Sequence, residues 1–327
     1  MSRPPLEGPV AVLGFGNQGE AQALNLRDSG CDVLVGARSG GGGESRALAH
    51  GFPVSPIAEA TSRARVVAVL LPDEVVPSLW DELRAAAKVG AAFVFAHGFN
   101  LLYGALRLPE RSDVILVSPT GPGRILRERY RAGFGLPAYL AVAQDASGNA
   151  WGLAERYATA LGSARARLWR TTVREETEVD LFGEQAVLCG GMNALVTTAF
   201  EVLVAAGYSP EIAYLECVHQ LKYLADLLHE RGVAGLRRDI SGTALFGDLT
   251  RGPRVVGAPA RAEMERLLEE IRSGAFAREW LAAVANGRKA LDEKVARAAR
   301  HPIETACAHA VEPEVEQIPS EPSHEWP

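Results

Sequence analysis

Apolar positions in the first half of the chain come as short unbroken runs between amphipathic stretches, whereas in the second half they recur every three to four residues over long spans. Six runs stand out between Pro9 and about Leu168: PVAVLGFG, CDVLVGAR, RVVAVLLP, AAFVFAHG, DVILVSP and PAYLAVAQ. Short apolar runs rich in β-branched residues and bounded by Gly or Pro read as strands buried on both faces, and their alternation with helical segments predicts a doubly wound parallel sheet. After about Thr171 the pattern is helical, with breaks at Gly190–Gly191, Gly207, Gly232 and Gly252–Pro253, and no further strand is expected. The predicted organisation is an α/β domain over residues 1–171 and an all-helical domain over 172–327. From about His301 the chain is acidic and carries prolines, and its end is expected to be loosely ordered.

Composition narrows the partners. With 327 residues, 47% hydrophobic and 23% charged, the chain can bury two real cores. A net charge of -6 and a pI near 5.7 argue against a nucleic-acid surface, which needs a concentrated basic patch. The arginines at 124, 127, 129 and 131 suit at most one small anion. Cys31, Cys189, Cys217 and Cys307 form no C-x-x-C pair, as expected of reduced thiols in a cytoplasmic protein. The most apolar long stretch, Ala186 to Gly207, carries Asn193, Glu201 and two adjacent glycines, so it is expected to be a buried core helix and not a membrane span. No leader segment is expected before the first strand.

Three local patterns carry chemistry. Gly14, Gly16 and Gly19 form G-x-G-x-x-G directly after the first strand and at the start of a helix, the arrangement of a Rossmann dinucleotide turn. The second strand ends in Arg38 with no acid before Glu44, which favours NADPH over NADH, although the four glycines at 40–43 leave only Ser39, Ser45 and Arg46 to help. Asp180 and Glu184 stand four apart, as do Glu216 and Gln220, and positions i and i+4 share one helix face. Oxygen donors clustered without Cys or His at ligand spacing suit Mg²⁺. A fourth stretch, ILVSPTGPGRILRERY at 115–130, ends a buried strand in two prolines and two glycines around Thr120. In an open α/β sheet that end is where ligands bind.

Taken with LLPDEV, FAHGFN, GFGLPAYLAVAQDASGNA, EETEVDLFGEQAVLCGG, AGYSPEIAYLEC and GDLTRGPRV, these stretches resemble the ketol-acid reductoisomerase family over roughly residues 7 to 303. The resemblance implies a short-form chain: an N-terminal Rossmann domain, a knotted all-α C-terminal domain, and a homodimer, or a higher oligomer built from it, whose active site takes helices from both subunits. It also implies NADPH, two Mg²⁺ ions and an acetohydroxy acid substrate. By resemblance Asp180 is a bridging metal ligand, with Glu184 and Glu216 as further ligands. His97 is implied in both catalysis and cofactor binding, Glu216 also in catalysis, and Ser241 is implied to hold the substrate carboxylate. The cofactor set it implies is Gly14, Gly16, Asn17, Gln18, Gly19, Arg38, Ser45, Pro72, His97 and Gly123.

The departures are as informative. Where the family reads A-P-K-G-P-G-H this chain has Ser118-Pro119-Thr120-Gly121-Pro122-Gly123-Arg124, so Thr120 replaces a lysine. Gln220 replaces a glutamate, and Gly242, Leu245 and Phe246 replace an asparagine, a glutamate and a tyrosine. Alkyl migration needs a general base and a strongly polarised carbonyl, whereas hydride transfer needs mainly a positioned nicotinamide and a proton donor. The expected activity is therefore NAD(P)H-dependent reduction of a small 2-keto or 2-imino acid, with isomerisation weak or lost. The alternatives are a genuine ketol-acid reductoisomerase and a cofactor-binding protein without turnover.

Overall fold

The computed structural model describes residues 5–104 and 106–310. The chain divides after Asp180 into two compact units. The expected boundary at 171/172 marks the start of a helix, and the division falls later within that helix because its first turns pack on the N-terminal unit, as described below.

The N-terminal unit is one eight-stranded sheet with helices on both faces. Its strands are β1 (Val10–Leu13), β2 (Val33–Gly36), β3 (Val54–Ser55), β4 (Val66–Val69), β5 (Ala92–Phe95), β6 (Val114–Pro119), β7 (Ala138–Gln144) and β8 (Leu168–Arg170), in the order β3-β2-β1-β4-β5-β6-β7-β8. Its helices are α1 (Asn17–Asp28), α2 (Gly42–Ala49), α3 (Ile57–Arg63), α4 (Val76–Ala86), α5 (Phe99–Leu102), α6 (Gly123–Arg131), α7 (Ala150–Ala160) and α8 (Val173–Gly183). The six apolar runs all form strands, and β1, β2, β4, β5 and β6 are fully buried, which is why they show no alternation. One side of the sheet buries Val10, Val12, Val94 and Ile115 against Ala154 and Tyr157 of α7, and the other buries Val67, Val69 and Phe93 against Trp80 and Leu83 of α4.

Two points correct the all-parallel, six-strand expectation. β3 and β8 are short edge strands of two and three residues. β7 runs antiparallel to β6, pairing Ala138 with Pro119 and Gln144 with Val114. The chain leaves β6 at its C-terminal end, makes α6, and returns to that same end, where the Thr120 N–H donates to the Pro137 carbonyl at 2.8 Å.

Among the described residues the C-terminal unit contains only helices. They are α9 (Gly190–Ala205), α10 (Pro210–Tyr214), α11 (Leu221–Asp239), α12 (Gly242–Val255), α13 (Ala258–Arg272), α14 (Ala275–Ala285), α15 (Lys289–Ala298) and α16 (Pro302–Ala310), with π-turns at Glu184–Leu188 and Leu215–His219. Gly190 and Gly191 permit the first π-turn, because a Cβ on them would lie 2.3 Å from the Gln185 carbonyl oxygen and 2.0 Å from that of Ala186. Helical structure thus runs unbroken from Val173 to Ala205, and these two glycines are not a break. Gly207 (φ 91°) ends α9, and Gly232 (φ 66°) interrupts the regular helix inside α11. The segment Val173–Ala205 is long and apolar enough to cross a membrane by length and composition, yet only 11% of its most apolar window is buried within the chain. The expectation of a buried core helix is corrected accordingly: Val187, Leu188, Leu195 and Val202 are exposed. The expected loose end falls mainly at 311–327, outside the described residues.

Candidate active site

The dinucleotide turn forms as its glycines require. Gly14 adopts φ 90°, a conformation that L side chains rarely take, and a Cβ on Gly19 would lie 2.3 Å from the Gly14 carbonyl oxygen. Asn17 and Gln18 open α1, so the free N–H groups of its first turn face the place where a pyrophosphate sits in such folds. The strand-end loop after β6 packs directly on this turn. The Gln18 amide donates to the Gly121 carbonyl at 3.0 Å, and a Cβ on Gly123 would lie 2.0 Å from the Asn17 carbonyl oxygen. Thr120 is exposed beside them, and its hydroxyl donates back to the Pro137 carbonyl at 3.0 Å.

At the end of β2 the glycine run is ordered: Gly40 takes φ 71°, and Gly42 and Gly43 begin α2. The Glu44 carboxylate accepts the Gly40 N–H at 2.6 Å. Arg46 is engaged elsewhere, donating to the Phe15 carbonyl at 2.6 Å and lying 3.8 Å from Glu20. Arg38 and Ser45 are exposed at the same turn.

The second focus lies at the C-terminal ends of β4 and β5. His97 follows β5, with Nδ1 3.5 Å from Asp73 Oδ2 and Nε2 3.0 Å from Asp180 Oδ2. The Nε2 contact is close enough for an ion pair but is not aligned as a hydrogen bond. Burial disfavours a charged ring, but the contacts with Asp180 and Asp73 and the nearby charge of Glu176 outweigh it, and the imidazole is pushed up to about 10.

Glu176 lies behind His97. It is buried, and its Oε2 accepts the Gly98 N–H at 3.1 Å while Oε1 has no hydrogen-bond partner. Burial raises its pKa, opposed by the charge on His97 and by hydrogen bonds from Ser118 and Gly98. Gly98 is needed for this approach, because a Cβ there would lie 1.9 Å from the Thr177 hydroxyl oxygen. These contacts tie the first turns of α8 to the N-terminal unit.

The sequence reading missed Glu176, Asp73 and Asn100. Glu176 stands four residues before Asp180, on the same helix face, so the spacing argument that pairs Asp180 with Glu184 finds it when run backwards. Asp73 follows Pro72 at the end of β4, and Asn100 is three residues beyond His97.

In the C-terminal unit Glu216 sits in the second π-turn, and the Gln220 amide donates to Glu216 Oε2 at 2.7 Å. Ser241 caps α12, accepting the Ala244 N–H at 3.3 Å. Phe246 is exposed, and Asp248 pairs with Arg237 at 2.6 Å. Glu184 is exposed at the start of the first π-turn. No three His, Cys, Asp or Glu side chains converge to cage a metal among the described residues of one chain. The donor chemistry still suits Mg²⁺, which binds carboxylate oxygens such as those of Asp180 and Glu184 and takes its remaining ligands from water and substrate.

The chain matches two family models, the NADPH-binding domain of acetohydroxy acid isomeroreductase over residues 6–167 and the C-terminal domain of ketol-acid reductoisomerase over residues 173–311. Its structure is similar to that of an NADH-preferring ketol-acid reductoisomerase from an uncultured archean, with 38% identity, 93% of each chain covered and a TM-score of 0.90. A semialdehyde dehydrogenase NAD-binding protein from Cupriavidus necator (18% identity, 82% of this chain and 99% of that one, TM-score 0.63) shares the fold alone. The same holds for a Plasmodium falciparum pyrroline carboxylate reductase (11% identity, 82% and 98%, TM-score 0.51). The glycine turn, the paired carboxylates and the two matched domains agree: the chain belongs to the ketol-acid reductoisomerase family and is an NAD(P)-dependent oxidoreductase.

Proposed function

We propose that this family member reduces a small 2-keto or 2-imino acid with NAD(P)H and isomerises acetohydroxy acids weakly or not at all. The observation that carries the reading is the neutral strand-end loop: Thr120 stands where the family has lysine, and its hydroxyl is committed to the Pro137 carbonyl. Gln220, in place of a glutamate, spends its amide on Glu216. A cation and an anion are thereby lost together, and with them the groups suited to moving the proton of the substrate's hydroxyl. His97 remains, its ring held between Asp73 and Asp180, as the side chain suited to giving a proton to the oxygen or nitrogen that hydride transfer makes basic.

Mg²⁺ bound by Asp180 and Glu184, with Glu216 from a second copy, would polarise the substrate carbonyl. Ser241 would hold the substrate carboxylate. The second copy is itself part of the reading: the helices that carry these groups leave Val187, Leu195 and Val202 exposed, and a homodimer covers them. On the cofactor, Arg38 favours the 2′-phosphate of NADPH, whereas Glu44 in the same turn suits the ribose hydroxyl of NADH and Arg46 is already engaged. The enzyme therefore uses both, with discrimination below about tenfold.

A second reading, a genuine ketol-acid reductoisomerase, is favoured by the match over 93% of both chains. Steady-state oxidation of NADH and NADPH with acetolactate and with a panel of 2-keto acids separates the two. The expected result is turnover of the keto acids and little of acetolactate, with T120K/Q220E recovering more isomerisation than the two single changes combined. Acetolactate turnover comparable to keto acid reduction would establish the second reading. Cofactor binding with no turnover of any acid would leave a binding protein.

A further inference from the structure

Behind Asp73, one more side chain completes the surroundings of His97. Asn100 is buried on α5, and its amide nitrogen donates to the Asp73 carbonyl at 3.0 Å and to Asp73 Oδ1 at 2.9 Å. Both amide hydrogens are therefore spent on one residue. Asn100 thus holds the carbonyl and one carboxylate oxygen of Asp73, whose other oxygen lies 3.5 Å from His97 Nδ1. On the far side of the ring Nε2 faces Asp180 at 3.0 Å. The Asn100 amide oxygen is buried without a hydrogen-bond partner among the described residues, so this side chain is costly to bury and packing alone gives no reason for an asparagine here.

We propose that Asn100 and Asp73 are positioning residues for His97, with Asn100 orienting Asp73 and Asp73 holding Nδ1, so that Nε2 is the ring nitrogen presented to Asp180 and to the substrate. The backbone after the ring is fixed separately by the bond from the Gly98 N–H to Glu176. Supporting partners behind metal-ligating histidines are worth about 10–100-fold in activity or metal affinity, and the same scale is expected for a histidine that gives a proton. The proposal rests on the reading of this site as a reductase centre.

Its test reads the ring directly as well as through turnover. In the NADH-bound protein labelled with ¹⁵N-histidine, the Nδ1–H of His97, assigned by its loss in H97Q, should exchange slowly with solvent. Asn100→Ala does not remove a group that touches the ring, yet it should abolish that signal, as should Asp73→Ala. Both should lower kcat for the best keto acid by about 10–100-fold while leaving the KM for the cofactor within about twofold. Asp73 is partly exposed, so its alanine variant should fold even if the buried Asn100 variant does not, and thermal melts check both. A His97 signal that survives both substitutions overturns the proposal, and so does an unchanged kcat after the signal is lost. If the parent protein turns over no acid at all, the reductase reading fails, and the NMR comparison still decides whether Asn100 and Asp73 hold the ring.

Discussion

The two units of this chain bury their apolar residues very differently. In the N-terminal unit whole strands are inaccessible: Val10, Val12, Phe93, Val94, Ile115 and Leu116 show no more than traces of exposure. Among the described residues of the C-terminal unit the large buried apolar side chains are few, chiefly Leu181, Phe200, Ile271 and Ile303, while Val202 is 63% and Leu195 50% exposed. Sheets covered on both faces satisfy themselves within one chain. Helices with apolar faces on more than one side do not, and exposed apolar area on this scale marks a surface made for another surface. One unit thus satisfies its apolar surface within the chain, whereas the other leaves an apolar face exposed, the face that the proposed homodimer would cover.

The same polar substitution should therefore act on different properties in the two units. Val94→Asp buries a lone carboxylate in the sheet and should abolish folding of the N-terminal unit, seen as loss of NADH fluorescence enhancement and of a cooperative melt. Leu195→Asp should leave cofactor binding intact but abolish turnover and shift the sedimenting species from dimer to monomer. A fully active, dimeric Leu195→Asp protein would end the comparison. Next in size is Gly98→Ala, which sets a methyl group against Thr177 and Glu176. Overpacking of this kind costs about 1–3 kcal/mol. The loss should appear in the melting temperature together with a fall in kcat, because the same turn carries His97.

The smallest effect is a pH dependence confined to the N-terminal unit. His97 is raised in the fold from 6.5 to about 10, so the folded state holds its proton more tightly than the unfolded chain does. The resulting stability is complete below about pH 6.5, declines as pH rises from there, and is gone above about pH 10. Melts of the metal-free protein should show this decline, and His97→Gln should flatten it.

How much of this was legible in the sequence depended on the reach of each signal. The glycine turn and the buried strands were readable because turn chemistry and unbroken apolar runs are local. β3 and β8 were not, since two or three residues carry no pattern, and the direction of β7 was not, since periodicity reports a strand and not its sense. Asp180 was found by its spacing from Glu184 and His97 through the resemblance, and the structure brings the two together. Asp73 and Asn100 were missed because their role exists only once the ends of β4 and β5 lie side by side. The exposed face of α9 could not have been foreseen, because an apolar stripe looks alike whether its own chain or a second copy covers it.

The close approach of Gly123 to Asn17 also constrains how this loop can have changed over time. A side chain at 123 has no room against Asn17, so a replacement there would disturb the dinucleotide turn itself, while the Gln18 amide ties the neighbouring Gly121 carbonyl to the same turn. Thr120 is exposed, and its hydroxyl is bonded to the Pro137 carbonyl and not to the dinucleotide turn. Position 120 can therefore change its chemistry without touching the contact that shapes the cofactor turn. By its resemblance to the family, it is there that threonine stands in place of lysine, next to the family's Gly-Pro-Gly at Gly121, Pro122 and Gly123.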